Sequence, residues 1–303
     1  MSPPLSRRRF LLLSAATCAA TQVTAATPTA VWRGQALGTG AELRLAGLDR
    51  EDAAPVFHAV EAELARIDRL FSLYRTDSAL MHLNRDGALP DADPDMLHLL
   101  SLARSVHQAT EGAFDPTVQP IFALHAEAAA TGRAVDPDAL REARRRVGLG
   151  HVSFDTTSVR FDRPGMAMTL NGIAQGFATD RLADLLRMAG LRDVMVNAGE
   201  IRATGSNDEA RGWPVRLPGG RVCRLENSAV ATSALFGTMV DPTRQVGHIF
   251  DPSGTAGQLR GTPVTAFHES AAVADAASTA AIVMNDRQLA LLNRLDVGLE
   301  FPG

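Results

Sequence analysis

Between residues 51 and 72, Phe57, Val60, Leu64, Ile67 and Phe71 recur at spacings of three or four. Such a stripe is buried as one face of an amphipathic helix. A second helix is expected over 94–109, with Met96, Leu99, Leu100, Ala103 and Val106 inward. A short one over 137–147 is opened by Asp136-Pro137-Asp138, acid and Pro at a helix start. Others follow over 174–189, stopped by Gly190, over the Ala-rich 271–284, and over 286–295. Between them lie strand-like pieces: 30–47 bending at Gly38-Thr39-Gly40, a hairpin in 151–170, a buried strand 194–196, and short strands near 213–217, 222–226, 246–250, 264–267 and 297–301. These elements never settle into a strand–helix–strand rhythm. The pattern predicts an α+β fold with largely antiparallel sheets and packed helices, not a doubly wound parallel sheet. No G-x-G-x-x-G follows a strand, so a Rossmann nucleotide site has no support.

The first 26 residues read as an export signal. Ser6-Arg7-Arg8-Arg9-Phe10-Leu11 fits the twin-arginine pattern, an apolar stretch runs from Leu11 to Ala20, and Val23-Thr24-Ala25-Ala26 suits cleavage. The expectation is a periplasmic protein of one domain, 27–303, with lipid attachment at Cys18 a weaker alternative. Without Cys18 only Cys223 remains, so an intrachain disulfide is excluded and packing must supply stability. Every basic side chain is Arg; the sequence holds no Lys, which rules out Schiff-base chemistry. The net charge is -4, and the short run Arg144-Arg145-Arg146 is no basic stripe, so nucleic acid is not an expected partner.

Five segments carry candidate chemistry. In Val273-Ala274-Asp275-Ala276-Ala277-Ser278-Thr279 the carboxylate and hydroxyl stand four apart on one helix face. They are hard oxygen donors, suited to Mg2+ and not to Zn2+. On spacing alone, a hydroxyl bonded back to its own helix and a capping or solvated acid fit equally. Thr110-Glu111-Gly112-Ala113-Phe114-Asp115-Pro116-Thr117 is a loop that Gly112 and Pro116 keep from continuing a helix. His248, in Gly247-His248-Ile249-Phe250-Asp251-Pro252, carries an imidazole and reads as base, acid, phosphate partner or structural residue. Thr169-Leu170-Asn171-Gly172-Ile173-Ala174-Gln175-Gly176 puts two Gly at a helix start, where backbone amides approach an anion closely. Asn197-Ala198-Gly199-Glu200 ends a buried strand.

In this order the segments resemble the ApbE family of FAD:protein FMN transferases. Leu37-Gly38-Thr39 corresponds to the family's Met-Gly-Thr opening, and Ser72-Leu73-Tyr74-Arg75-Thr76-Asp77-Ser78, followed by Leu83-Asn84, to its Ser-x-Tyr-x-x-x-Ser segment. The loop at 112–117, the His-Ile-x-Asp-Pro motif at 248–252 and the Ala-Asp-x-x-x-Thr helix at 274–279 are intact. The resemblance implies an ApbE-type, T-fold-like architecture of two intimately joined lobes. It implies Mg2+ held by Asp275, Thr279 and a backbone carbonyl near Gly172, and FAD lined by Leu37, Ser72, Tyr74, Ser78, Ala113, Phe114, Asp115, Gln175, Glu200 and His248. His248 and Asp275 are the implied catalytic residues, and the nucleophile is a Thr or Ser hydroxyl on a partner flavoprotein.

Three positions depart from the family pattern: Gln175 where Lys is common, Ala198-Gly199-Glu200 where Gly-Gly-Asp is common, and Leu37 where Met is usual. With the twin-arginine start, these resemble the NosX-like branch, which implies a NosR-like membrane partner in denitrification. Two alternatives remain: a Mg-dependent FAD pyrophosphatase, which would use the same site with water as acceptor, and a non-catalytic FAD-binding assembly factor, which would not need Asp275.

Overall fold

The computed structural model describes residues 28–207, 211–255, 257 and 259–302; the expected signal at 1–26 and Cys18 lie outside the described residues. Seven strands form one sheet in the spatial order 29–36, 39–46, 194–197, 201–204, 228–233, 264–268 and 298–300. Every neighbouring pair in it is antiparallel.

The helices are α1 (Arg50–Phe71), α2 (Ala79–Asp86), α3 (Pro94–Ala109), α4 (Gln119–Ala130), α5 (Pro137–Arg145), α6 (Ala174–Met188) and α7 (Ala271–Val283). Helices α1 to α5 and a small antiparallel sheet, 88–89, 159–161 and 152–154, are inserted between the second and third strands of the large sheet. The insertion shares one continuous core with the large sheet and with α6 and α7.

Alternation along the strands divides the apolar residues between two faces. Val194 and Val196 join the main core with the helices, whereas Met195 joins a smaller core around Trp213 on the other face. The hairpin 213–216/222–225 covers that second face, and Trp213 Nε1 donates to the Thr204 carbonyl at 3.0 Å. The α1 stripe is buried as its spacing predicts: Val60, Leu64, Ile67 and Phe71 face inward, while Phe57 is only partly buried at the core's edge. Each side chain fully buried there contributes roughly 1.5–3 kcal/mol. Asp49 caps α1 by accepting from the amides of Glu51 and Asp52.

Several local expectations change. Helices α2 and α4 and the strands 201–204, 228–233 and 239–241 lacked a periodic signal long enough to read. The last helix is a tight three-residue-per-turn helix, Gln288–Leu295. The strand expected over 246–250 is only Val246–Gly247, which leaves His248 just beyond it. Cys223 is a free thiol. No described helix is long and apolar enough to cross a membrane.

Candidate active site

Helices α6 and α7 pack side by side, and small residues decide how closely. A Cβ on Gly176 would stand 2.2 Å from the Ala271 carbonyl oxygen, so only Gly fits. A Cβ on Gly172 would lie 3.1 Å from Thr279 Oγ1. Gly176 therefore faces Asp275, and Gly172, one turn earlier, faces Thr279. The Gly176 amide is one of the first-turn donors that a helix cannot satisfy itself. It donates to Asp275 Oδ2 at 3.1 Å. The Asp275 side chain is thus a cap, as one sequence reading allowed, but it caps the neighbouring helix and is buried.

Around this pair the sheet supplies more oxygen. Ser233 Oγ lies 3.1 Å from Thr279 Oγ1 and 2.7 Å from Ser278 Oγ. Glu200 accepts from the Thr232 amide at 3.2 Å, and its carbonyl accepts from Thr179 Oγ1 at 3.0 Å. Burial raises the Asp275 carboxyl to about 7. Burial, and then the neighbouring Asp275 charge, push Glu200 well above the usual carboxylate range. A buried carboxyl with a half-buried one beside it holds protons or a cation, since neither charge is otherwise compensated. The donors are all oxygen, and no group of three or more His, Cys, Asp or Glu among the described residues is placed to hold a metal ion by itself. That set fits Mg2+, which takes one or two carboxylates and keeps its waters, and does not fit Zn2+.

The remaining motif segments converge on the chain that leads into Gly172. Asn84 pairs with Met168 in both directions: its Nδ2 donates to the Met168 carbonyl and its Oδ1 accepts from the Met168 amide, each at 2.8 Å. Thr169 donates its amide to the Pro116 carbonyl at 2.8 Å. Ser78 caps α2, the helix that carries Asn84, and its hydroxyl donates to the Ser72 carbonyl at 2.6 Å. Ser72 Oγ accepts from the Tyr74 amide at 3.2 Å. Ser72, Ser78 and Asp115 are buried, and their polar groups shape their own loops. Asp115 accepts from the amides of Thr117 and Leu149 and from Thr117 Oγ1. Phe114 is buried and Ala113 partly so, whereas Tyr74 is 82% exposed.

Leu37 has φ 48° and Gly38 φ 82°, the left-handed pair of a two-residue hairpin turn between the first two strands. The register Glu42 to Asn197 puts this turn at the same sheet end as Gly199, Glu200, Thr232 and Ser233. A Cβ on Gly199, at φ 111°, would meet Gln175 Cδ at 2.7 Å, so Gln175 lies against that turn. His248 holds the Thr238 carbonyl through Nδ1 at 3.0 Å, in the loop that follows Ser233. Two open clefts of about 540 and 480 Å³ are lined elsewhere, though the first reaches this loop at Thr238.

Ser233, Ser278 and Asp180 were not singled out from sequence as site residues, and Gly176 was read only as one of two Gly at a helix start. Their one legible signal is the four-residue spacing of 172, 176 and 180, which matches that of 271, 275 and 279.

An α+β fold with an all-oxygen acidic centre at the junction of a sheet end and two close-packed helices is the arrangement found here. The sequence pattern of the ApbE family matches residues 37–301, and the chain belongs to that family. It is 27% identical over 288 residues to an FAD:protein FMN transferase of Klebsiella pneumoniae, covering 89% of this chain and 80% of that one. It is 28% identical over 244 residues to one of Vibrio cholerae, covering 76% and 73%. Among solved structures, the apo flavinyl transferase ApbE of Pseudomonas stutzeri superposes with a TM-score of 0.78 at 24% identity, covering 91% of both chains. The ApbE protein of Thermotoga maritima superposes with a TM-score of 0.76 at 28% identity, covering 90% and 94%.

Proposed function

We propose that this chain is an FAD:protein FMN transferase that moves FMN from FAD to a Thr or Ser hydroxyl of an exported redox protein, in a Mg2+-dependent reaction that releases AMP. The observation that carries the reading is the buried Asp275 carboxyl, with the half-buried Glu200 near it, beside Thr279 and Gly172. Asp275, Thr279 and the Gly172 carbonyl would hold Mg2+, with Glu200 adding negative charge next to it. When bound, the ion supplies charge neutralisation at the FAD diphosphate.

The protein's own residues do the rest. The carbonyl of Thr238 only accepts, so the His248 proton is on Nδ1 and Nε2 is a free base in the neutral ring. His248 takes the proton as the acceptor's O–H bond breaks. A new O–P bond forms at the FMN phosphorus, the bridging P–O bond breaks, and AMP leaves with that electron pair. Tyr74, exposed on a loop pinned by Ser72 and Ser78, offers an aromatic face to the flavin. Asp115, Phe114 and Ala113 hold the facing loop, and Gln175 stands at the start of α6 where the family often has a Lys. Export by the twin-arginine route to the periplasm, and a NosR-like acceptor, complete the reading.

Asp275→Ala tests it. The variant is expected to keep its fold and lose Mg2+-dependent transfer. Full activity in that variant would remove the metal assignment.

A further inference from the structure

We infer that Asp180 is a positioning residue that fixes the register of α7 against α6 and thereby places Asp275 and Thr279; this rests on the metal reading proposed above. Asp180 lies one turn beyond Gly176 on α6. Its carboxylate accepts from the amides of Ala271 at 2.9 Å and Ala272 at 3.1 Å, and from Ser270 Oγ at 2.6 Å. Ala271 and Ala272 are the first two residues of α7, whose amides have no partner within the helix. Ser270, the cap residue, supplies the third by accepting from the Val273 amide at 3.3 Å. Every first-turn donor of the metal-bearing helix is therefore taken by Asp180 or by the serine that Asp180 holds.

The electrostatics point the same way. A carboxylate at the positive end of a helix is favourable, the more so when little exposed. The Asp180 side chain is 14% exposed and is neutralised by Arg202 Nη1 at 2.6 Å. The charge can thus remain in a largely dry place.

The contacts between the two helices form a ladder. Asp180 meets Ala271, Gly176 meets Asp275, and Gly172 meets Thr279, with four residues between rungs on each side. The helices cap one another: Asp275 of α7 takes an orphan amide of α6, and Asp180 of α6 takes two of α7. A slip of one residue would turn α7 by about 100° and carry both oxygen donors away from Gly172. Asp180 holds the first turn of α7 and not Asp275 or Thr279 themselves, so its influence travels through the helix.

The test is calorimetric titration of Mg2+ into the FAD-saturated protein, with wild type, Asp180→Asn and Ser270→Ala. Asp180→Asn keeps the shape and one acceptor but loses the charge and the second acceptor. It is expected to weaken Mg2+ binding about tenfold, the range of residues that orient metal ligands, while FAD affinity stays within about twofold. Hydrogen exchange should quicken at the amides of Ala271 and Ala272. Ser270→Ala, a milder change should the first variant not fold, is expected to show a smaller loss in the same direction. A folded Asp180→Asn protein with wild-type Mg2+ affinity would overturn the inference and leave the metal reading standing. A fall in melting temperature alone, without weaker Mg2+ binding, would overturn it too. A wild-type protein that binds no Mg2+ would overturn both, and the wild-type arm tells that case apart.

Discussion

The Gly176 amide donates to Asp275 Oδ2 at 3.1 Å, across an approach so close that a methyl group on Gly176 would stand 2.2 Å from the Ala271 carbonyl oxygen. One glycine thus allows both the helix packing and the hydrogen bond on the acidic residue. Backbone, unlike a flexible side-chain end, does not swing aside. Gly176→Ala is therefore expected to destabilise the protein by at least the 1–3 kcal/mol typical of overpacking, read as a lower urea midpoint. It should also lose Mg2+-dependent turnover under conditions where the variant is folded. A variant with unchanged midpoint and turnover would mean that the two helices can separate without consequence.

His248 acts on the transferred proton in this account, and its Nδ1 is engaged by the Thr238 carbonyl. His248→Gln is expected to lower kcat by about a hundredfold or more, the contribution of a positioned general base. The FAD dissociation constant should change much less. Equal effects on both quantities would reduce His248 to a binding residue.

His125 gives a pH dependence remote from the acidic centre. Burial, and then the Arg144 charge, hold its pKa below the usual histidine value, against a smaller opposing pull from Asp241. The unfolded chain then binds the proton more readily than the folded one. The His125 contribution to stability should be constant above about pH 6.5, the free histidine value, and decline as pH falls below it toward the folded pKa. His125 also stacks on Phe250 at 4.8 Å between ring centroids. His125→Gln should therefore lower stability at pH 8 and flatten the slope between about pH 6.5 and 5. Denaturant melts of both proteins across that range provide the check; parallel slopes would contradict the assignment.

Gln175 lies against the Gly199 turn at the start of α6. Gln175→Lys adds a cation where an anionic diphosphate is expected. It should tighten FAD binding about two- to fivefold at low salt, the size of a partly exposed ion pair. The gain should fade with added salt. Fluorescence titration of FAD at two ionic strengths measures it, and an unchanged affinity at low salt would place the diphosphate elsewhere.

Much of this was readable from the chain. The α1 stripe, the α3 boundaries and the Asp275/Thr279 spacing follow from local periodicity, and the structure keeps all three. The short strand 228–233 was not readable, because its buried residues, Ala229, Val230 and Ala231, are consecutive and carry no alternation. The four-residue spacing of Gly172, Gly176 and Asp180 was visible, but its meaning depends on which helix lies opposite. Glu200 is a similar case: its position at a strand end was evident, whereas its nearness to Asp275 comes only from the turn between two sheet strands and the packing of α7. Asp115 reads as a ligand residue by resemblance; its hydrogen bonds, to Thr117 in its own loop and to Leu149 far along the chain, depend on packing that the sequence does not display.

The most direct measurement mixes the purified protein with FAD, Mg2+ and the flavin-binding domain of a NosR-like protein, and weighs the acceptor by mass spectrometry. The account predicts that the acceptor gains the mass of FMN less water, that AMP appears in equal amount, and that EDTA abolishes both. FAD cleaved without an adduct, or FAD bound without AMP release, would contradict it.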